Sequence, residues 1–582
     1  MQTTPPEDKA GRLESGLLLA ALAFYGVALP LCAALFRPGY SNYDDCSTLD
    51  QVQFWREGGS LDIRFAHSSL HRALCALLVR AGGPHLYLLH LPAMAAVLLE
   101  SVLLFAWLKG RLGERAALWA ALADLVCAAT FTRAGSLLAV SLMPALFLAH
   151  ALALERARER WQAGLLGLSG ALVLLDYEGW PGALCLLVPY AFWAWRGRPG
   201  LRPAALLGAA AGAAIVLALT PDLGPIFHTR AALSAPGGGY AGQVWTNLGH
   251  LLGGGHRLAI SAPEGHPWPP PWIWPLALLG AAPAVRRWPI LALFLALGCL
   301  PLAMDNTDYE PHRLCLAYLM LAAFTGAGAA LLWRRAWGRW LCLLLLMFGA
   351  ADETLAWVRV PEAFLELSYG PSLDREAAVA WLGANAPAGG WDLISGLGPD
   401  YDGNIRFLMD QAGVGGGGRV PVALVTWNYR PALEGLAAAA PARSFGSFHP
   451  LLLFFPAPES AARLRRVGAS LADIHAARHG ASSEAILRVS ARWLGDPAHR
   501  DPWARTVAWD NWLLAGLQMR SLDPGGLRRM LAEPLVCAWA PDELAQVLAP
   551  RDPVLALRFR EKAEAIEPRR RSESVLERGY RY

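Results

Sequence analysis

Asn42-Tyr43-Asp44-Asp45-Cys46 sets an acidic pair directly after the first long apolar run of the chain, Gly16 to Phe36. Ionised side chains are costly in or near hydrocarbon, so two adjacent carboxylates at the end of such a run point first to a functional site. The competing reading is local. Asp44, Asp45, Ser47 and Thr48 carry short oxygen-bearing side chains of the kind that cap a helix, and a surface helix beginning near Leu49 would use them in that way. What decides between the two is the company that the rest of the chain places on the same side of a membrane.

Over 582 residues the chain is 55% hydrophobic and only 17% charged, with a mean hydropathy of +0.31. That is the composition of a multispanning membrane protein with length to spare for a water-soluble region. The net charge of +4 is small, and the basic residues gather in short clusters between apolar runs, as topology signals do, so no nucleic-acid partner is indicated. Six of the nine cysteines (Cys32, Cys127, Cys185, Cys299, Cys315 and Cys342) fall in or beside apolar runs, where cysteine behaves as a small hydrophobe. No metal-ligand spacing appears among them. Cys46 and Cys75 could face an oxidising compartment together, although spacing alone does not make a disulfide. Residues 1–15 read as a cytoplasmic N-terminus. The 21-residue run from Gly16 reads as a retained first span, too long for a signal peptide and without a small-residue cleavage pattern.

Eleven apolar runs of spanning character are counted between residues 16 and 359, several of them short. With the N-terminus inside, the clusters Lys109/Arg111/Arg115, Arg156/Arg158/Arg160, Arg196/Arg198/Arg202, Arg286/Arg287 and Arg334/Arg335/Arg339 all become cytoplasmic. The opposite face receives the loop 37–83 with the acidic pair, the turn at Arg133, the turn Asp176-Tyr177-Glu178, the loop 221–271 and the segment Asp305 to Arg313. None of these polar residues entered the count, so their convergence supports one extracytoplasmic site. Within loop 37–83 two amphipathic pieces, 49–57 and 67–80, are too polar to span and are expected to lie along the membrane surface. The glycine triplets 237–239 and 253–255 lack both the strand–glycine–helix context and the Lys-Ser/Thr of a phosphate loop, and read as flexible loop.

Past residue 359 the composition becomes that of a water-soluble segment. A helical stretch, Asp374 to Leu382, and strand-like runs, Trp391 to Ser395 and Val420 to Trp427, predict an α/β domain over 360–460. An arginine-rich helical region and tail follow over 461–582, and an odd number of spans puts all of it outside. The expected fold is therefore mainly α, with about 11 transmembrane helices and an extracytoplasmic C-terminal α/β plus helical region.

The order of motifs resembles a known family. Tyr43-Asp44-Asp45, Phe54-Trp55, Gly58-Gly59, Ala66-His67-Ser68-Ser69-Leu70, Leu91-Pro92, Lys109-Gly110-Arg111-Leu112-Gly113-Glu114-Arg115, Arg133, Leu175-Asp176-Tyr177-Glu178-Gly179 and His312-Arg313-Leu314 follow one another as in the membrane glycosyltransferases of the C-type fold. The branch they resemble comprises the protein O-mannosyltransferases and the aminoarabinose lipid A transferases, over roughly residues 15–360. Where the family usually has Asp-Glu this chain has Asp44-Asp45, and where the family has a His-Pro-Pro-type motif it has His67-Ser68-Ser69.

The resemblance implies transfer of a monosaccharide from a polyprenyl-phosphate donor to an acceptor hydroxyl on a lipid, glycan or protein, with inversion, in a bacterial inner or plasma membrane. It makes Asp44 the base and Asp45 its helper; a second carboxylate nearby raises proton affinity and improves a base at neutral pH. A departing phosphate needs cationic partners, for which arginine's planar fork is suited. Arg133 and Arg313 come first by topology, then Arg64 and Arg72, against the alternative that each only snorkels to headgroups. His67 and His312 are weaker substrate-binding candidates, and Asp176 and Glu178 either orient sugar hydroxyls or cap the next helix. No cofactor is expected; a divalent metal is conceivable but no ligand set is visible. Three other classes stay open: a sugar-polymer ligase or polymerase, a lipid or sugar transporter, and a scaffold that keeps the fold without activity.

Overall fold

The computed structural model describes chiefly residues 43–59, 69–127, 142–176, 180–220, 239–252, 269–299, 314–367, 372–396, 402–414, 420–426, 443–445, 451–455, 483–496, 500–519, 522–534, 539–549 and 552–566. The tail after residue 566 lies outside them, as does most of the first apolar run.

Three of the described helices are long and apolar enough to cross a membrane, Leu86–Leu112, Leu201–Leu219 and Cys315–Leu332. Rising about 1.5 Å per residue, they extend over roughly 27–40 Å, against a hydrocarbon core of about 30 Å. Eleven spans were expected; among the described residues these three reach membrane length and apolarity. Glu114–Val126, Met143–Arg156, Arg160–Leu172, Trp180–Ala194 and Trp274–Arg287 have only 13–15 residues each, and Ile290–Gly298 has nine. An apolar run in the sequence need not be one continuous helix: the runs counted over 116–132 and 134–154 contain described helices that stop at Val126 and start at Met143. The segment read as a long loop, 221–271, contains a helix, Gly239–Leu252.

Cys315–Leu332 is central, with every residue from Cys315 to Ala329 buried, and it packs against Glu114–Val126 and Trp274–Arg287. Small residues let the backbones meet. A Cβ on Gly280 would lie 1.9 Å from the Phe324 carbonyl oxygen, and one on Gly328 1.9 Å from that of Leu276, the close approach by which apolar helices gain dispersion contacts in lipid. At one end of the bundle, Trp107 Nε1 donates to Tyr190 Oη at 2.9 Å, and the Tyr190 hydroxyl in turn donates to Glu155. Glu155 lies 3.6 Å from Arg111, whose guanidinium sits 4.8 Å from the Trp193 ring centre. The basic cluster read as cytoplasmic is thus tied to three helices by one network.

The α/β region holds a four-stranded sheet in the order β1-β2-β4-β3, formed by β1 Trp391–Gly396, β2 Val420–Thr426, β3 Arg443–Phe445 and β4 Leu451–Phe454. β1 and β2 are parallel, joined through the helix Asp402–Gln411. β4 pairs antiparallel with both β2 and β3. Its core is shared: Trp391, Ile405, Phe407, Leu408 and Val422 are buried in one cluster with Leu49, Val52, Cys75, Ala76 and Val79 of the two helices that precede Leu86–Leu112. Further on, Ser483–Gly495 packs on Pro502–Met519 and Trp539–Leu548 on Pro553–Ile566. Glu533, at the end of the helix Pro524–Ala532, ties it to Pro502–Met519, taking two bonds from Arg505 at 3.2 and 2.7 Å and one from Trp509 Nε1 at 3.1 Å.

Candidate functional site

The acidic pair lies inside a helix, Tyr43–Arg56. A helix starting near Leu49 was expected; it starts six residues earlier, so Asp44 and Asp45 occupy its first turn rather than a cap before it. Negative charge is favoured there by the unpaired N–H groups of the first turn. Their side chains lie outside the described residues. Further along the same helix Leu49 and Val52 are both fully buried. The helix stops at a glycine turn: Gly58 has φ +96, and a Cβ on Gly59 would collide with the Phe54 ring at 2.2 Å.

Beside it runs the second amphipathic helix, Ser69–Gly82, which packs against Tyr43–Arg56, against Leu86–Leu112 and against the single turn Val173–Leu175. Here the structure brings together two of the sequence candidates, Arg72 and Asp176. Asp176, in the turn beyond the Arg160–Leu175 apolar segment and 2% exposed, takes the backbone N–H of His71 at 3.0 Å, and the Leu70 N–H also points at it. Its carboxylate caps the start of the Ser69–Gly82 helix, through a residue 105 positions earlier in the chain. Burial pushes the carboxyl up to about 6, while the N–H groups of His71 and Leu70 and the Arg72 guanidinium pull the other way. Arg72 is itself buried. Cys75 is a free, buried thiol that donates to the Leu89 carbonyl at 3.4 Å, so it does not pair with Cys46. Burial drives it up to about 12, only partly offset by Arg72, and a thiol so protonated is no nucleophile.

A cap of this kind is expected to be measurable. Asp176→Ala should cost about 1–3 kcal/mol through the orphaned buried N–H groups, and amide exchange at Leu70 and His71 should accelerate, while Asp176→Asn keeps an acceptor and most of the protection. Because the folded chain raises this carboxyl to about 6, its contribution is fully present below the unfolded value near 4 and is lost as pH rises through about 6. Asp176→Asn should erase that slope; a slope unchanged by the substitution would assign the pH dependence elsewhere.

The remaining candidates, Arg64, His67, Arg133, Glu178, His312 and Arg313, lie outside the described residues. Among the described residues no group of three or more His, Cys, Asp or Glu side chains is assembled that could hold a metal.

No family model matches the chain. No curated protein matches it either. Among solved structures it is similar to ArnT from Cupriavidus metallidurans bound to undecaprenyl phosphate, at 12% identity over 77% of this chain and 98% of that one with a TM-score of 0.49. It is similar to the same protein in the apo state, at 12% identity over 76% and 99% with a TM-score of 0.48. It also matches the Archaeoglobus fulgidus oligosaccharyltransferase tethered with an acceptor peptide, at 13% identity over 68% and 63% with a TM-score of 0.38. These are distant likenesses.

Two sets of residues escaped the reading of the sequence. The first is Glu100, Ser101, Asp124 and Glu353, all fully buried in the helix bundle, with Ser101 Oγ donating to Asp124 Oδ2 at 2.8 Å. Acidic residues inside apolar runs were a visible signal for them. The second is Gln53, Arg56 and Glu57 with Arg406 and Asp410, which join the acidic helix to the α/β region, and Gln411, which joins that region to Leu86. Only the spacing of the first three could have hinted at a docking face.

Proposed function

We propose that this integral membrane protein is a glycosyltransferase that moves a monosaccharide from a polyprenyl-phosphate donor to an acceptor hydroxyl on the extracytoplasmic side, inverting the anomeric centre. The observation that supports it best is the packing of the helix bearing Asp44 and Asp45 against the helix bearing Arg72, at the start of a membrane-length helix. The helix that carries the two acidic residues is thereby the neighbour of the helix that carries Arg72. In this account Asp44 takes the proton of the acceptor hydroxyl, and the oxygen attacks the anomeric carbon as its bond to the phosphate oxygen breaks. The phosphate leaves on the polyprenyl chain, its charge met by Arg133 and Arg313, with Arg64 and Arg72 behind them. Asp45 raises the proton affinity of Asp44, and His67, His312 and Glu178 line the sugar. Asp176 supports the site from beneath, by fixing the start of the Arg72 helix. The acceptor is a lipid, a glycan or a protein.

A second reading, a lipid or sugar transporter, is favoured by the fully buried Glu100, Asp124 and Glu353, since ionisable groups within a helix bundle mark transport pathways as well as structural ties. Ligand stabilisation gives a first separation from an inactive scaffold. A short-chain polyprenyl phosphate at about 100 times its Kd should stabilise the purified protein by about 2.7 kcal/mol, where the matching polyprenol does not. Equal shifts with both lipids would remove the phosphate from the account.

A further inference from the structure

Leu49, Val52, Gln53, Arg56 and Glu57 recur at the i, i+3, i+4, i+7, i+8 spacing of one helix face, and that face meets the α/β region. Leu49 and Val52 are fully buried in the cluster that contains Ile405, Phe407 and Leu408. Around this apolar centre runs a polar rim. Asp410 Oδ2 accepts from Arg56 at 2.9 Å and from Gln53 Nε2 at 3.1 Å. Glu57 accepts from Arg406 at 3.1 Å, and Gln53, 3% exposed, also accepts from Arg56 at 2.7 Å. At the next residue, Gln411 Oε1 accepts the Leu86 backbone N–H at 2.9 Å, at the very start of the Leu86–Leu112 helix. A single ten-residue helix, Asp402–Gln411, therefore grips both the acidic-pair helix and the entry of the first described membrane-length helix.

We infer that Asp402–Gln411 is a positioning element, with Asp410 its principal positioning residue: the α/β region sets where Asp44 and Asp45 stand relative to the helix bundle. The inference rests on the reading of these carboxylates as the reacting groups. Each exposed ion pair alone contributes little, but here one carboxylate serves two donors, one of them buried, over an apolar contact. Positioning matters because a displacement of about 1 Å at a reacting group can cost up to about 100-fold in rate.

The test compares Asp410→Arg, Arg56→Asp and the double exchange in the full chain, with amide exchange and transfer kinetics read in parallel. Asp410→Arg should speed exchange across 43–56 at least tenfold while leaving the Pro502–Met519 helix unchanged, the control for folding. It should lower kcat by about tenfold or more with donor KM nearly constant, and the double exchange should restore both. Exchange across 43–56 that is unaffected by Asp410→Arg overturns the inference, as does a kcat unchanged when exchange is accelerated. Should the unmutated protein turn over no donor, it is the transferase reading that falls; the exchange arm still decides whether the α/β helix holds the acidic-pair helix in place.

Discussion

Asp44→Asn abolishes transfer, lowering the rate by about 10²–10⁴-fold, the contribution a general base makes, while the protein remains inserted and folded. The substitution keeps the size and shape of the side chain and removes only its capacity to take a proton. Because Asp44 belongs to the first turn of Tyr43–Arg56, losing its negative charge there also forfeits a helix-dipole interaction of about 0.3–1 kcal/mol. A helix docked by a buried apolar face tolerates that, so a purely structural role leaves turnover within a fewfold of the unmutated protein. Asp45→Asn is expected to retain measurable activity, since in this account Asp45 only assists Asp44 by raising its proton affinity. Activity in Asp44→Asn comparable with that of the unmutated chain would return the pair to a structural role.

Arg313→Ala weakens donor binding by about 10–100-fold, the equivalent of roughly 1.5–3 kcal/mol for a hydrogen bond to a charged group, and slows transfer with it. Arg313 follows Tyr309-Glu310-Pro311-His312 and stands two residues before the described helix Cys315–Leu332. The free N–H groups at that helix start favour an anion, so a donor phosphate would be held between them and the guanidinium. Arg313→Lys is expected to rescue only in part, because an ammonium gives charge without the planar two-point contact. An arginine that only reaches for headgroups would be replaced fully by lysine, and even by alanine without loss of donor affinity. Titration of a short-chain polyprenyl phosphate against the three forms separates the two outcomes.

Local elements were legible where side-chain pattern and burial agree. The run read as strand from Trp391 to Ser395 is β1 Trp391–Gly396, and the amphipathic piece expected over 67–80 is the helix Ser69–Gly82. β3 and β4 were missed, although Leu451-Leu452-Leu453-Phe454 is a short buried-strand run of the usual kind; β3 has only three residues to signal itself. The start of Tyr43–Arg56 was misjudged because Asp44, Asp45, Ser47 and Thr48 suit a cap and a first turn alike, and residue type alone does not separate them. Apolar runs did not mark helix bounds, since hydropathy registers composition and not whether one helix runs through it. The role of Asp176 and the grip of Asp410 on Gln53 and Arg56 join positions 105 and more than 350 residues apart, and such pairings have no local signature at all.

The central claim is tested most directly by incubating the purified protein with a polyprenyl-phosphate monosaccharide and, in parallel, the diphosphate-linked form of the same sugar, and following the released lipid phosphate and the configuration of the sugar product. The account predicts that the monophosphate donor is consumed in preference, that the product carries the inverted anomeric centre, and that Asp44→Asn stops both. Consumption of neither donor by protein that nonetheless moves the intact lipid across a vesicle bilayer would contradict it and establish the transporter in its place.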